Sequence, residues 1–67
     1  MNRPLTESER LGIDWEARAE GWWWHLRDLR DVVDLYHAAR EWGGRSTQRV
    51  CVRLLQVAGV GPNGEGL

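Results

Sequence analysis

Gly21-Trp22-Trp23-Trp24-His25-Leu26-Arg27-Asp28-Leu29 is the stretch on which the fold turns, in a chain that has five tryptophans and no phenylalanine. Successive residues of an α-helix point about 100° apart, so three adjacent indoles cannot all face one core. At least one must look outward or bury itself against something other than this chain. Tryptophan is among the residues most enriched at the energetic centres of interfaces. The run therefore points to a binding surface.

Read forward from Trp22, the pattern predicts a helix over 22–42. Trp22, Leu26, Leu29, Val32, Val33, Tyr36 and Ala39 fall in one arc, with Arg27, Arg30, Asp34 and Glu41 opposite. Trp22 is then core. Trp24 lies at the edge of the arc with Leu35 and Trp42, and Trp23 projects from the polar face nearest Arg27 and Arg30. The pairs Arg27 with Asp31 and Arg30 with Asp34 have the i,i+4 spacing of surface ion pairs.

Read backward, Thr6 with Glu9 is a capping box that opens a helix over 7–20, with Leu11, Trp15 and Ala19 as its stripe. Gly12 and Gly21 weaken that helix, and a break is expected near Gly21. The alternative is one helix over 14–42 with a heptad seam, which would drive Arg18 into the apolar arc.

Beyond the long helix, Gly43-Gly44 supplies a stop. Ser46 or Thr47 is expected to cap a third helix closed by Gly59. Its apolar face is Val50, Cys51, Leu54, Leu55, Val57 and Ala58, and its polar face is Arg45, Arg49, Arg53 and Gln56. The fold class is all-α: a small two- or three-helix antiparallel bundle with a long central helix followed by a short C-terminal helix. Residues 1–60 form the domain and 61–67 a flexible tail, because the last residues are turn-forming without apolar periodicity. The expected core is Trp15, Trp22, Leu26, Leu29, Val33, Tyr36, Val50, Leu54 and Val57.

A domain of 67 residues buries only about 60% of the surface its unfolded chain exposes, so its stability as a monomer is marginal. The single Cys51 excludes an internal disulfide, which leaves a homodimer or a complex with a host protein as support. The net charge of −1 is unevenly spread: residues 1–42 carry six basic and nine acidic residues, and 43–67 carry three basic and one acidic. Every basic residue is arginine, the usage of a GC-rich bacterial or phage coding source. The N-terminal residues lack a secretory pattern, and no stretch approaches a membrane span of about 20 apolar residues. A cytoplasmic protein with a reduced thiol is expected.

No catalytic, cofactor-binding or metal site is expected. His25 and His37 stand twelve residues apart, which is not the spacing of a helical metal pair. Cys51 sits on an apolar face, where a thiol is packing. The acids Asp28, Asp31 and Asp34 are interrupted by Arg30 and read as a solvated, ion-paired face.

The segment Ala38-Ala39-Arg40-Glu41-Trp42-Gly43-Gly44-Arg45-Ser46-Thr47-Gln48-Arg49-Val50 resembles a bacterial helix-turn-helix. The resemblance implies DNA binding through Arg45, Gln48, Arg49 and Arg53. With Ala39 and Gly43 aligned to the motif, Arg49 falls at a normally apolar position, and the pI near 6.1 lacks a basic footprint. The leading expectation is therefore a non-enzymatic regulator, an inhibitor or adaptor, that occludes a surface of a larger protein. Trp23 and Trp24 are its anchors, Leu35 and Trp42 their apolar continuation, and Arg27 and Arg30 the polar surround. Trp23 is expected to be dispensable for folding. No membrane or small-molecule partner is expected, and nucleic acid is the alternative partner.

Overall fold

A computed structural model describes residues 2–67. In chain order it holds α1 (Glu7–Leu11), α2 (Trp15–Ala19), a 3-10 turn (Trp22–His25), α3 (Leu29–Trp42) and α4 (Arg45–Val57). Among the described residues the architecture is helical without strands, and the one extended pairing is an antiparallel bridge between Pro4 and Asp28.

The capping box is present: Thr6 Oγ1 accepts from the Glu9 N–H at 3.1 Å, and Glu9 Oε1 accepts from the Thr6 N–H at 3.0 Å. Arg3 adds a two-pronged pair, donating to Glu9 Oε1 at 2.8 Å and Oε2 at 2.7 Å. The helix that follows stops early. The Gly12 N–H donates to the Ser8 and Glu9 carbonyls and the Ile13 N–H to the Arg10 carbonyl, and Asp14 caps a new helix by accepting from the Ala17 N–H. The single helix expected over 7–20 is thus two five-residue helices. The interruption resets the helical register. Ile13 and Ala17 are buried, while Leu11 is 54% and Trp15 77% exposed, so the expected Leu11–Trp15–Ala19 core stripe is corrected.

The break at Gly21 is observed, with φ at +83°, a conformation that glycine adopts without steric cost. The helix expected from Trp22 does not form there. Residues 22–25 make the 3-10 turn, Leu26 is extended, and α3 begins only at Leu29. An accounting of the N–H groups at its head explains why. The first turn of a helix leaves its amides without intrahelical acceptors. Here Leu29 N–H donates to the Arg3 carbonyl at 3.1 Å, Arg30 N–H to Asn2 Oδ1 at 3.0 Å, and Asp31 N–H to Asp28 Oδ1 at 3.1 Å. Leu5 N–H returns a bond to the Arg27 carbonyl at 2.8 Å. The N-terminal arm therefore caps α3 and holds Arg27 and Asp28 extended.

α3 buries Leu29, Val32, Val33, Leu35 and Ala39, with Tyr36 and Trp42 packed half-buried at the margin. It ends at Gly43, where φ is +83° and the N–H groups of Gly43 and Gly44 both donate to the Ala39 carbonyl. Gly44 is buried, and a Cβ there would run into the Trp42 indole nitrogen. Gly44 is also the N-cap of α4, without a side-chain hydrogen bond, so neither Ser46 nor Thr47 has the expected capping role. Thr47 is fully buried instead. Its hydroxyl donates to Asp14 Oδ1 at 2.6 Å and ties α4 to the head of α2.

Cys51 and Leu55 are buried on α4, and Val50, Leu54 and Ala58 pack half-buried beside them. Gly59, with φ at +75°, closes the helix as expected: its N–H donates to Gln56, and the N–H of buried Val60 donates to Leu55. Residues 61–67 carry turn hydrogen bonds of their own, from Gly61 to Glu65, Gly64 to Gly61 and Leu67 to Gly64. Of the expected core, Leu26, Leu29 and Val33 are buried, and Trp22, Tyr36, Val50 and Leu54 are half-buried. Trp15 and Val57, the latter 79% exposed, are surface residues.

Two outcomes follow from these bonds. Thr47→Val keeps the shape and removes the donor to Asp14, whose other carboxylate oxygen is already buried without a partner, so denaturant titration should show a loss of about 1–3 kcal/mol. The Arg3 guanidinium, with help from the Thr6 N–H, holds the Glu9 carboxyl down at about 2 from its ordinary 4.5. A depressed carboxyl stabilises the fold above its unfolded value, and that stabilisation disappears as pH falls from about 4.5 to about 2. Melting temperature should drop across this window, and Glu9→Gln should flatten the drop.

Candidate functional site

The segment from α1 to the 3-10 turn is organised around Trp23. Gly21, with its positive φ, leads the chain from α2 into the 3-10 turn, which brings the Trp23 ring against Arg10 of α1 and Arg18 of α2. The Arg18 guanidinium lies over the Trp23 ring with its carbon 4.7 Å from the centroid, and that of Arg10 at 5.2 Å. Arg18 Nη2 also donates to the Leu11 carbonyl at 2.6 Å, and Arg10 Nη2 to the Trp23 carbonyl at 3.3 Å. The Nε atoms of both arginines are shielded from solvent without an acceptor, as expected of guanidinium planes covered by an aromatic face. Arg18 is therefore an element of packing. This is how the structure resolves its position, which an unbroken helix would have placed in the apolar arc.

Trp23 is consequently half-buried, not the outward anchor expected on a polar helix face. Trp24 meets it edge to face, with centroids 6.5 Å apart and planes at 76°, and remains 74% exposed. Trp15, on α2 one turn before Arg18, is 77% exposed, and Leu11 at the end of α1 is 54% exposed. The sequence pattern places Trp15 in the core and Leu11 in the apolar stripe of the first helix, so it does not disclose either as surface. The signal that could have found them is Asp14, a cap residue three before Ala17, which restarts the helix and turns Trp15 outward.

The other expected partner-binding residues are dispersed. Leu35 is fully buried in α3 and is not part of any surface, which corrects its expected role beside Trp24. Trp42 is half-buried, with its indole against Gly44. Arg27 and Arg30 are exposed: the Arg27 N–H donates to Asp31 Oδ2 at 2.7 Å, and the Arg30 side chain pairs with Asp34 at 3.5 Å. Among these six residues only Trp23 and Trp24 are in ring contact.

The residues of the nucleic-acid alternative lie elsewhere. Arg45, Arg49 and Arg53 are exposed on α4, and Gln48 is half-buried with Nε2 donating to the Ala39 carbonyl at 3.4 Å. A depression of 550 Å³ runs between α3 and α4, lined by Tyr36, Gln48, Arg49, Val52, Arg53 and Gln56. Arg40 lies over the Tyr36 ring at 5.9 Å, and His37 meets that ring at 5.4 Å.

Cys51 is buried, and desolvation followed by the nearby Asp14 charge pushes its thiol up to about 12. It is a protonated packing group at neutral pH, consistent with the sequence reading. His25 and His37 are both exposed. No known protein family matches the chain, and comparisons with curated proteins and with solved structures find no match.

The geometry separates the two adjacent indoles by effect. Trp23→Ala should cost about 2 kcal/mol in chemical denaturation, because it opens a half-buried site and strands two guanidiniums. Trp24→Ala should change stability by less than about 0.5 kcal/mol.

Proposed function

We propose that this chain is a small non-enzymatic protein-binding regulator, an inhibitor or adaptor that covers a surface of a larger protein in the cytoplasm of a bacterial or phage-infected cell. Its docking groups are Trp15 and Trp24, with Leu11 as apolar neighbour in the chain and Trp23 as the buttress behind Trp24. The observation that carries this reading is the three-quarters exposure of two indoles in a segment whose shape is fixed from below. Large apolar side chains held in water are a standing cost to a monomer and an asset to a complex. Covering each indole is worth on the order of 4 kcal/mol before ordering costs are counted. Part of the ordering cost of Trp24 is already met, because its ring rests edge to face on Trp23, which Arg10 and Arg18 hold. In this reading α3 and α4 form an antiparallel helical pair that serves as the scaffold, and α1, α2 and the 3-10 turn form the contact layer.

The test is recovery of a partner on the tagged protein from nuclease-treated bacterial lysate. One dominant protein should be retained by the parent chain and by Arg49→Gln. Recovery should fall at least tenfold with Trp24→Ala or Trp15→Ala, at unchanged melting temperature. Recovery indifferent to both indoles would refute the reading.

A further inference from the structure

Arginine is used in two ways along this chain. In the first half it is mostly spent on internal contacts: Arg3 on Glu9, Arg10 and Arg18 on Trp23, Arg30 on Asp34. On α4 it is left free. Arg45, Arg49 and Arg53 are exposed, and among the described residues none of their side chains has a hydrogen bond or ion pair. They are spaced by four residues, so they rise about 6 Å apart along one side of a helix about 20 Å long. No acidic residue occurs between Glu41 and Glu65, and two acids of the α2 segment approach α4 away from the stripe: Glu16, against Gly44, and Asp14, which accepts from the buried Thr47 hydroxyl. A chain of net charge −1 thus presents a row of three arginines that make no ion pair among the described residues.

We infer that this α4 face is a second binding site whose ligand is the phosphate backbone of duplex DNA. Charge complementarity selects a polyanion, since an uncompensated row of three guanidiniums is stabilised by a regular row of negative charge. Two further features select a nucleic acid over an acidic polypeptide. The stripe lies on the outward side of a single straight helix, the shape that a major groove about 12 Å wide admits. The depression beside it interleaves the amides of Gln48 and Gln56 and the Tyr36 ring with Arg49 and Arg53, groups that hydrogen-bond to phosphate, sugar and base edges and that an acidic peptide does not require. The site uses different residues from the indole surface: the arginines are on α4, whereas Trp15 and Trp24 belong to α2 and the 3-10 turn.

The test is a fluorescence-anisotropy titration of the full chain with a labelled duplex of about 20 base pairs, repeated from about 25 to 200 mM salt. Three phosphate contacts give a log–log slope of about −2.7. Arg49→Gln and Arg53→Gln should each weaken binding about five- to tenfold at low salt and reduce the slope by about one, while Trp24→Ala leaves both unchanged. Both arginines are exposed and without partners, so circular dichroism should show unchanged helicity in either variant. Absence of binding at the lowest salt, or a slope insensitive to both substitutions, overturns the inference. Equal competition by polyglutamate at matched charge also overturns it and transfers the stripe to an acidic protein.

Discussion

The amides at the head of α3 decide where the rest of the chain goes. A buried helix end with orphaned N–H groups is costly, and here the donors are met from the far end of the sequence: Arg3 supplies a carbonyl and Asn2 a side-chain oxygen, 28 positions before Arg30. For Pro4 to bridge Asp28 the chain ahead of Leu29 must be extended, so α3 cannot grow backward through the tryptophans. The same Arg3 turns its guanidinium onto Glu9, the residue that closes the cap of α1. One residue thereby couples the beginnings of two helices, and the indoles are left to a tight turn between them.

The parts of this design that are written locally could be read locally. Thr6 with Glu9, the break at Gly21, the Gly43 stop and the Gly59 closure were legible because each is a short-range backbone requirement with its own residue signature. The apolar face of α3 was legible from Leu29 onward for the same reason. The start of α3 was not. Trp22, Leu26 and Leu29 happen to continue the helical period, which outweighed the Asp28-Leu29-Arg30-Asp31 cap signature embedded in it. Arg27 with Asp31 has the spacing of an ion pair, yet the carboxylate serves the Arg27 backbone.

Other misreadings were tertiary in origin. A threonine near a helix start reads as a cap, and nothing near Thr47 discloses that its acceptor is Asp14, 33 residues away. Leu35 looked marginal on a helical wheel, but it shares a core with Leu5, Ile13 and Val60, which come from segments with no helical period to count. Of the candidate surfaces, the α4 arginines were legible because a polar helix face needs no partner to be polar. The indole surface was only half legible: the triplet announced that something must face outward, and the fold chose Trp24 and Trp15 over Trp23.

Cys51 lies buried on α4 within reach of the Asp14 charge, its thiol pushed up to about 12. A reagent that requires a thiolate can attack it only in the moments when the packing around α4 opens. The chain therefore carries its own clock: with a single thiol, the rate of alkylation in native buffer counts the openings of the core around α4, without any label that would disturb the indoles or the arginine stripe.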